Sequence, residues 1–214
     1  PSPLQLQDHL QAWQEYLDFD DSDFLLQVAV AHAQFELLHP FKDGNGRIGR
    51  LLIPLFLFQK KALSQPMFYL SEYLEANRDE YYQRLSNISK EGDWNGWIAF
   101  FLKAITVQAK QNSARVKAIM ALYDDMKQRI HEITRSQYSV YLLDALFSKP
   151  IFKTSDLASQ LERDFGISKR TVPALLRQLK EAGVLLELTP GSGRKPAVLC
   201  FAELLNLAEG KEVF

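Results

Sequence analysis

The first half of the chain repeats apolar residues at the spacing of α-helices. Leu6, Leu10, Trp13 and Leu17 follow one another at steps of three and four, which places them on one helical face. The next segment, "DDSDFLLQVAVAHAQFELLHPF", opens on acidic and serine residues that can cap a helix, and then becomes apolar nearly all round. We therefore predict that this second helix lies in the core.

Helical patterns continue for most of the chain. "RIGRLLIPLFLFQKKAL" predicts another apolar helix, and two later segments, "EYLEANRDEYYQRLSNISK" and "DWNGWIAFFLKAITVQAKQNSARVKAIMALYDDMKQRIHEI", extend the run. No β-rich stretch is expected before about residue 183. The prediction is a mainly α fold with a helical core over residues 1–112 and a connecting helix over 113–136.

The pattern changes near residues 136–150. Two short helices, "TSDLASQLERDFG" and "SKRTVPALLRQLKEAG", are joined through a glycine, and two apolar strands then flank the turn-rich "TPGSGRKP". Helix, turn, helix and hairpin is the order of a winged helix-turn-helix domain with a small β-hairpin. We predict that domain over residues 137–214.

Composition excludes several classes of protein. The formal net charge is −1, so the chain as a whole has no electrostatic preference for nucleic acid or membranes. No apolar run reaches the roughly 18 residues of a membrane helix, and the N-terminus does not read as a signal peptide. The single cysteine, Cys200, fits a reducing compartment. We expect a cytoplasmic protein without a membrane partner and, from its abrupt "PSP" start, a fragment of a longer chain.

The stretch "HPFKDGNGRIGR" concentrates the candidate chemistry. Its "GNGRIG" matches a dinucleotide-binding fingerprint, but that motif follows a strand and needs an acidic residue about 20 positions later, whereas here the preceding pattern is helical and Glu72 comes too late. A P-loop needs Lys followed by Ser or Thr, and this chain has Arg50 and Leu51. Neither of these two phosphate motifs fits.

An anion site at a helix start uses all the residues of the stretch. Gly44, Asn45 and Gly46 open a helix, where free backbone N–H groups and the helix dipole attract phosphate. Arg47 and Arg50 are three apart, so both can point to the same side. Two guanidinium groups beside such a cradle suit a polyphosphate.

Three residues before the glycines complete the predicted site. Asp43 supplies a carboxylate of the kind that holds magnesium beside phosphates. His39, at the end of the preceding helix, is placed to take a proton from an incoming hydroxyl group. We expect Phe41 to bury its ring and pin the loop. The predicted chemistry is nucleotidyl or phosphoryl transfer to a hydroxyl.

The stretch resembles the motif of the Fic family, H-x-F-x-[D/E]-G-N-G-R-x-x-R, with every defined position filled. "LSEYLEANRDEYYQRL" and "DWNGWIAFFLKAI" look like the helices that follow this motif in the family. The predicted winged helix is similar to one found in many multi-domain bacterial members. The resemblance covers most of the chain.

The resemblance implies a protein adenylyltransferase that moves AMP from ATP to a Ser, Thr or Tyr hydroxyl of a target protein. It implies that His39 is the general base, that Asp43 binds Mg²⁺, and that the phosphates are held by Gly44, Asn45, Gly46, Arg47 and Arg50. The kinase-like branch of the superfamily has a lysine where this chain has Gly46, so Gly46 favours AMP transfer over phosphorylation.

Two family features are missing from this sequence. Members usually carry a β-hairpin flap upstream that aligns the target, and many carry an inhibitory helix with the pattern [S/T]-x-x-x-E-[G/N]. Neither is found here. Two alternatives to the transferase stay open: a hydrolase that removes AMP, and a nucleotide-sensing transcription regulator that reads DNA.

Some secondary interpretations also stay open. Asn77 and Tyr82, with Tyr81, can line an adenine pocket or can simply pack between helices. His32 and His39 lie two helical turns apart, but no third metal ligand is evident and we do not predict a metal pair.

The predicted winged helix carries a local basic surface. DNA is a candidate partner because of the basic residues Lys169, Arg170, Arg177, Lys180, Arg194 and Lys195, although Glu162, Asp164 and Glu181 dilute this charge. Such domains also dock proteins or form dimers, so a homodimer is a further candidate.

Overall fold

The computed structural model describes residues 5–19, 21–193 and 195–214. It divides into two compact units, Pro1–Asn112 and Ser113–Phe214. The first unit contains α1 (Leu6–Asp18), α2 (Phe24–Leu38), α3 (Asn45–Gln59), α4 (Ser71–Ala76), α5 (Arg78–Glu91) and the start of α6 (Trp94–Thr134). The fold is mainly α, as the sequence predicts.

Helix α2 lies at the centre of the first unit. Asp23 caps it by accepting hydrogen bonds from the amides of Leu25 and Leu26 at 3.0 and 3.2 Å. Tryptophans from two other helices donate to its backbone: Trp13 Nε1 to the carbonyl of Ala31 and Trp97 Nε1 to that of Ala29, both at 2.8 Å. The surrounding core includes Val28, Ala33, Ile53, Phe56, Leu57, Leu70, Leu85, Phe100 and Phe101.

One predicted helical run is interrupted. "EYLEANRDEYYQRLSNISK" forms two helices, α4 and α5, which meet at Asn77. The Asn77 backbone lies at φ −120°, ψ 36°, outside the helical region, and its side chain donates to the Tyr73 carbonyl at 2.8 Å. The Tyr73 carbonyl also accepts from the Asn77 backbone N–H at 3.1 Å. The non-helical backbone of Asn77 therefore separates two helices where periodicity alone predicts one.

The second unit continues α6 and adds α7 (Ser139–Ser148), β1 (Ile151–Lys153), α8 (Thr154–Phe165), α9 (Val172–Glu181), β2 (Leu186–Thr189), β3 (Val198–Cys200) and α10 (Ala202–Glu209). Its antiparallel sheet has the order β1-β3-β2, with Ile151 opposite Cys200 and Leu186 also opposite Cys200. Leu142, Leu146, Leu161, Leu176, Leu179 and Phe201 are among its core residues, together with Met126 and Ile130 from α6.

The second unit corrects one expectation and extends another. The expectation of no strand before about residue 183 is wrong, because Ile151–Lys153 forms β1 against β3. The two short helices and the hairpin occur in the predicted order, and α8 ends at Gly166 with the positive φ of 68° that favours glycine. Helix α10 is an element that the pattern did not predict. Assignment as a winged helix stays a prediction, and Arg194 of its expected tip lies outside the described residues.

The capping of α2 can be tested by mutation. Asp23→Ala removes the acceptor of two first-turn amides, and we expect it to cost about 1 kcal/mol of stability. Thermal unfolding of the variant would show a lower midpoint than Asp23→Asn, which keeps an acceptor. Equal midpoints for the two variants would contradict the capping role.

Candidate functional site

His39 terminates α2 in an unusual backbone conformation. It adopts φ 50°, ψ 55° in the left-handed region, and its N–H donates to the Phe35 carbonyl at 3.1 Å. A non-glycine residue in this region costs on the order of 1 kcal/mol, and such strain concentrates at functional sites. The turn takes the chain out of α2 and leaves His39 exposed, which gives its imidazole access to a substrate.

The loop after His39 is held by Asn45. The Phe41 N–H donates to Asn45 Oδ1 at 2.9 Å, and Asn45 Nδ2 donates to the Phe41 carbonyl at 2.6 Å. Asn45 is 2% exposed, whereas Phe41 is 48% exposed. The expectation that the Phe41 ring buries and pins the loop is therefore wrong: the buried amide of Asn45 pins it through the Phe41 backbone.

Helix α3 begins with backbone N–H groups that no described side chain caps. Gly44 precedes it at φ 84°, a conformation that glycine adopts without a steric penalty. In the part of the chain that the structure describes, no side chain caps this helix. The free amides of its first turn and the positive end of its dipole make the start of α3 suitable for an anion.

Charged side chains surround this helix start. Arg47 and Asp43 form a loose ion pair at 3.5 Å, with their side chains 74% and 93% exposed. Exposed pairs of this kind contribute little, so both groups can turn to a ligand. Arg50 lies closer to the helix, since a Cβ on Gly46 would be 3.2 Å from Arg50 Nη1. Glycine at position 46 therefore leaves room for the Arg50 guanidinium over the first turn of α3.

The residues at the loop fit a magnesium ion held together with phosphates. Asp43 is a hard oxygen donor next to the open end of α3, and its Oδ1 already accepts from the Gly44 amide at 2.7 Å. Among residues 5–19, 21–193 and 195–214 there is no cluster of three or more His, Cys, Asp or Glu that could form a metal site alone. A metal here would need ligand oxygens from a nucleotide.

A buried hydrogen-bonded chain lies behind the loop. His32 Nδ1 is 3.0 Å from the Gly49 carbonyl, and His32 Nε2 is 3.1 Å from Tyr81 Oη. A carbonyl can only accept, so Nδ1 carries the proton and Tyr81 donates to Nε2. Burial lowers the pKa of His32 to about 4. With both ring nitrogens engaged, His32 is a structural residue that ties α2 to α3 and α5.

Glu36 lies beside the same chain, and the sequence did not single it out. Its carboxyl is close to Tyr81, and the nearby charges of Arg50 and His39 act on it. Burial raises its pKa, and these three neighbours partly oppose that shift. Its position one turn before His39, at the spacing "E-x-x-H", is the only signal of this role in the sequence.

The residues predicted to line an adenine pocket have different surroundings in the structure. Asn77 uses its amide to cap α4, and Tyr82 is 53% exposed, with the Arg78 guanidinium carbon 5.7 Å from its ring centre. Tyr81 is buried in the core, as the packing alternative expected. A cavity of about 440 Å³ elsewhere in the unit is lined by α1 and α2, including His9 and Trp13, and does not include the loop residues.

Comparison with known proteins gives a family match at the N-terminal end. Residues 1–57 match the model of the Fic/DOC family. A "probable protein adenylyltransferase" of Aquifex aeolicus is 35% identical over 57 residues, which is 27% of this chain and 18% of that protein. A "protein adenylyltransferase Fic" of Nematostella vectensis is 31% identical over 103 residues, which is 47% of this chain and 22% of that protein.

These relatives are much longer than the region they share with this chain. The match spans about a fifth of their length. The crystal structure of a Fic family protein from Desulfovibrio desulfuricans G20 aligns over 94% of this chain and 56% of that one, with 22% identity and a TM-score of 0.49.

Asn45 should be essential for the shape of the loop. Asn45→Ala removes both partners of the Phe41 backbone from a buried position, and we expect a loss of about 1–3 kcal/mol. Amide hydrogen exchange should show faster exchange at residues 39–46. Unchanged exchange there would contradict the pinning role.

The buried His32 should make stability depend on pH. Its folded-state pKa of about 4 lies below its ordinary value of 6.5, so the unfolded chain binds more protons between these values. The contribution of neutral His32 to the stability of the fold is therefore complete above pH 6.5 and falls as the pH decreases towards 4. From pH 7 to pH 5 we expect a loss of roughly 2 kcal/mol.

Urea unfolding of the wild type and of His32→Asn measures this effect. The variant removes the titrating group, so the difference in stability between the two proteins should shrink as the pH falls. A difference that is constant from pH 7 to pH 5 would contradict the assignment.

Proposed function

We propose, from the premise that this chain is a Fic-domain protein, that it transfers AMP from ATP to a hydroxyl side chain of a target protein. The observation that carries the proposal is the junction between α2 and α3, where the exposed His39 and the open N-terminus of α3 are joined by one short loop. The names of the relatives, which are protein adenylyltransferases at 31% and 35% identity, support the same chemistry.

In this proposal the first turn of α3 binds the phosphates. The amides of Asn45 and Gly46 donate to the phosphate oxygens, and the Gly44 amide joins them when it leaves Asp43 Oδ1. Arg47 and Arg50 neutralise the charge of the phosphates. Asp43 would hold Mg²⁺, which supplies charge neutralisation to the α- and β-phosphates when it is bound. Asn77 and Tyr82 remain the predicted contacts of the adenine.

His39 acts as the general base of the transfer. It takes the proton of the target hydroxyl, whose oxygen forms a bond to the α-phosphorus while the bond from that phosphorus to the β-phosphate bridging oxygen breaks. AMP stays on the target oxygen and pyrophosphate leaves. The amides of the first turn of α3 and Arg47 stabilise the charge that builds on the phosphates.

Gly46 supports AMP transfer over phosphorylation. A side chain at this position would crowd the Arg50 guanidinium, which lies over the first turn. The kinase-like branch, by the resemblance given above, has a lysine here. Removal of AMP by hydrolysis remains the alternative for the same site.

DNA binding by the second unit stays a prediction with little charge to support it. Lys169, Arg177 and Lys180 each lie beside an acid, at 2.6 Å from Glu162, 3.8 Å from Glu181 and 2.7 Å from Glu187 respectively. These exposed pairs neutralise part of the local positive charge that binding to a phosphate backbone requires.

Several other expectations remain predictions. They are the cytoplasmic location, the homodimer, and the division into a core, a connecting helix and a winged helix. None of the helices in the described part of the chain is long and apolar enough to span a membrane.

The proposal predicts which phosphate of ATP is transferred. With Mg²⁺ and a cell lysate as acceptor, label from the α-phosphate should appear on protein, and label from the γ-phosphate should not. His39→Ala should reduce α-label transfer by about 100-fold or more while leaving ATP binding nearly unchanged. His9→Ala, the same change at an exposed position of α1, is the matched control.

Each alternative gives a distinct result. Label from the γ-phosphate would indicate a kinase reaction despite Gly46. Loss of label from a pre-modified protein would indicate the hydrolase. Transfer that survives His39→Ala would contradict the assignment of the base.

A further inference from the structure

Glu36 is a half-buried acid between the two halves of the proposed site. It lies on α2, one turn before His39, and its Oε1 is buried without a hydrogen-bond partner in the described residues. A Cβ on Gly49 would overlap that oxygen, so the carboxyl sits directly against α3. A larger residue at position 49 would push the Glu36 carboxyl aside.

Glu36 lies beside a hydrogen-bonded chain that crosses three helices. Tyr81, on α5, donates its hydroxyl proton to His32 on α2, and His32 donates to the Gly49 carbonyl on α3. Tyr81 and His32 are 4% and 2% exposed. The two helices that present His39 and the phosphate-binding turn are therefore fixed to each other by buried polar contacts, which have few alternative arrangements.

The charges that face Glu36 come from the proposed site itself. On α3 the facing group is Arg50, at the end of α2 it is His39, and on α5 it is Tyr81. His32, on the same helix as Glu36, is neutral near pH 7 because its own pKa is depressed. The charged form of Glu36 is thus stabilised by the two residues proposed to bind phosphate and to take the proton.

We propose that Glu36 is a positioning residue for the transfer reaction: it holds the end of α2 against the first turns of α3, and its charge favours the imidazolium that forms when His39 takes the hydroxyl proton. This inference rests on the proposed function. Glu36 does not touch the substrate in this scheme. It acts through His39 and Arg50.

Glu36→Gln separates a positioning charge from a purely structural role. The amide keeps the size of the side chain but removes its charge. We expect kcat for AMP transfer to fall about 10-fold or more, with KM for ATP changed by less than about 3-fold. The melting temperature should be unchanged or higher, because a neutral amide costs less to bury than a carboxylate.

Matched controls make this comparison specific. Glu91→Gln makes the same change at an exposed position of α5 and should leave kcat unchanged. Tyr73→Phe, in the neighbouring helix, should also leave kcat unchanged. A Glu36→Gln variant that keeps wild-type kcat, or that loses kcat and melting temperature together, overturns the positioning role.

A second measurement does not depend on activity. The carboxyl carbon of Glu36 can be followed by ¹³C NMR as a function of pH. Because Arg50 and His39 both lower its pKa, its titration should move to higher pH in Arg50→Gln and in His39→Gln, and should not move in Lys110→Gln, at an exposed position of α6.

The two measurements distinguish the two proposals. No movement of the Glu36 titration in Arg50→Gln and His39→Gln overturns this inference, whatever the label experiment shows. Movement in a wild-type protein that transfers no AMP supports the coupling of Glu36 to His39 and Arg50, and overturns only the proposed transfer chemistry.

Discussion

The close approach of α2 to α3 at Gly49 is the contact on which the candidate site depends. No Cβ separates the helices there, and His32 bonds directly to the Gly49 carbonyl at 3.0 Å. A larger residue at this position would overlap Glu36 and press on His32. The approach fixes the end of one helix beside the start of the next, and those ends carry His39 and the open amides.

The site divides into a rigid interior and an accessible exterior. The interior consists of His32, Tyr81 and Asn45, whose polar atoms are buried and bonded. The exterior consists of His39, Asp43 and Arg47, which are exposed and held by weak or single contacts. This arrangement suits a phosphate ligand, because the positions are set by the protein while the charged groups remain available to the ligand.

Much of the fold and the loop could be predicted from local sequence. Helical periodicity located α1 to α3, and the glycines and arginines of one stretch indicated an anion site at a helix start. Local patterns failed where a single residue or a distant partner determines the secondary structure. The non-helical backbone of Asn77 divides one predicted helix into two, and β1 has only three residues and exists because β3 pairs with it.

The parts of the site that sequence could not predict are contacts between distant residues. His32 and Tyr81 are 49 positions apart, and their bond requires α2 and α5 to pack together. Phe41 is exposed, and the buried Asn45 side chain holds the loop in place of the Phe41 ring. Glu36 belongs to no sequence motif. Its position between His39 and α3 depends on the packing of α2 against α3 at Gly49.

The most direct test of the central claim is a two-dimensional amide NMR titration of the protein with ATP and Mg²⁺, with adenosine as the control ligand. If the start of α3 holds the phosphates, the amides of Gly44, Asn45, Gly46 and Arg47 should show the largest shifts with ATP and little change with adenosine. Shifts that leave these four amides unmoved while ATP binds elsewhere would contradict the account.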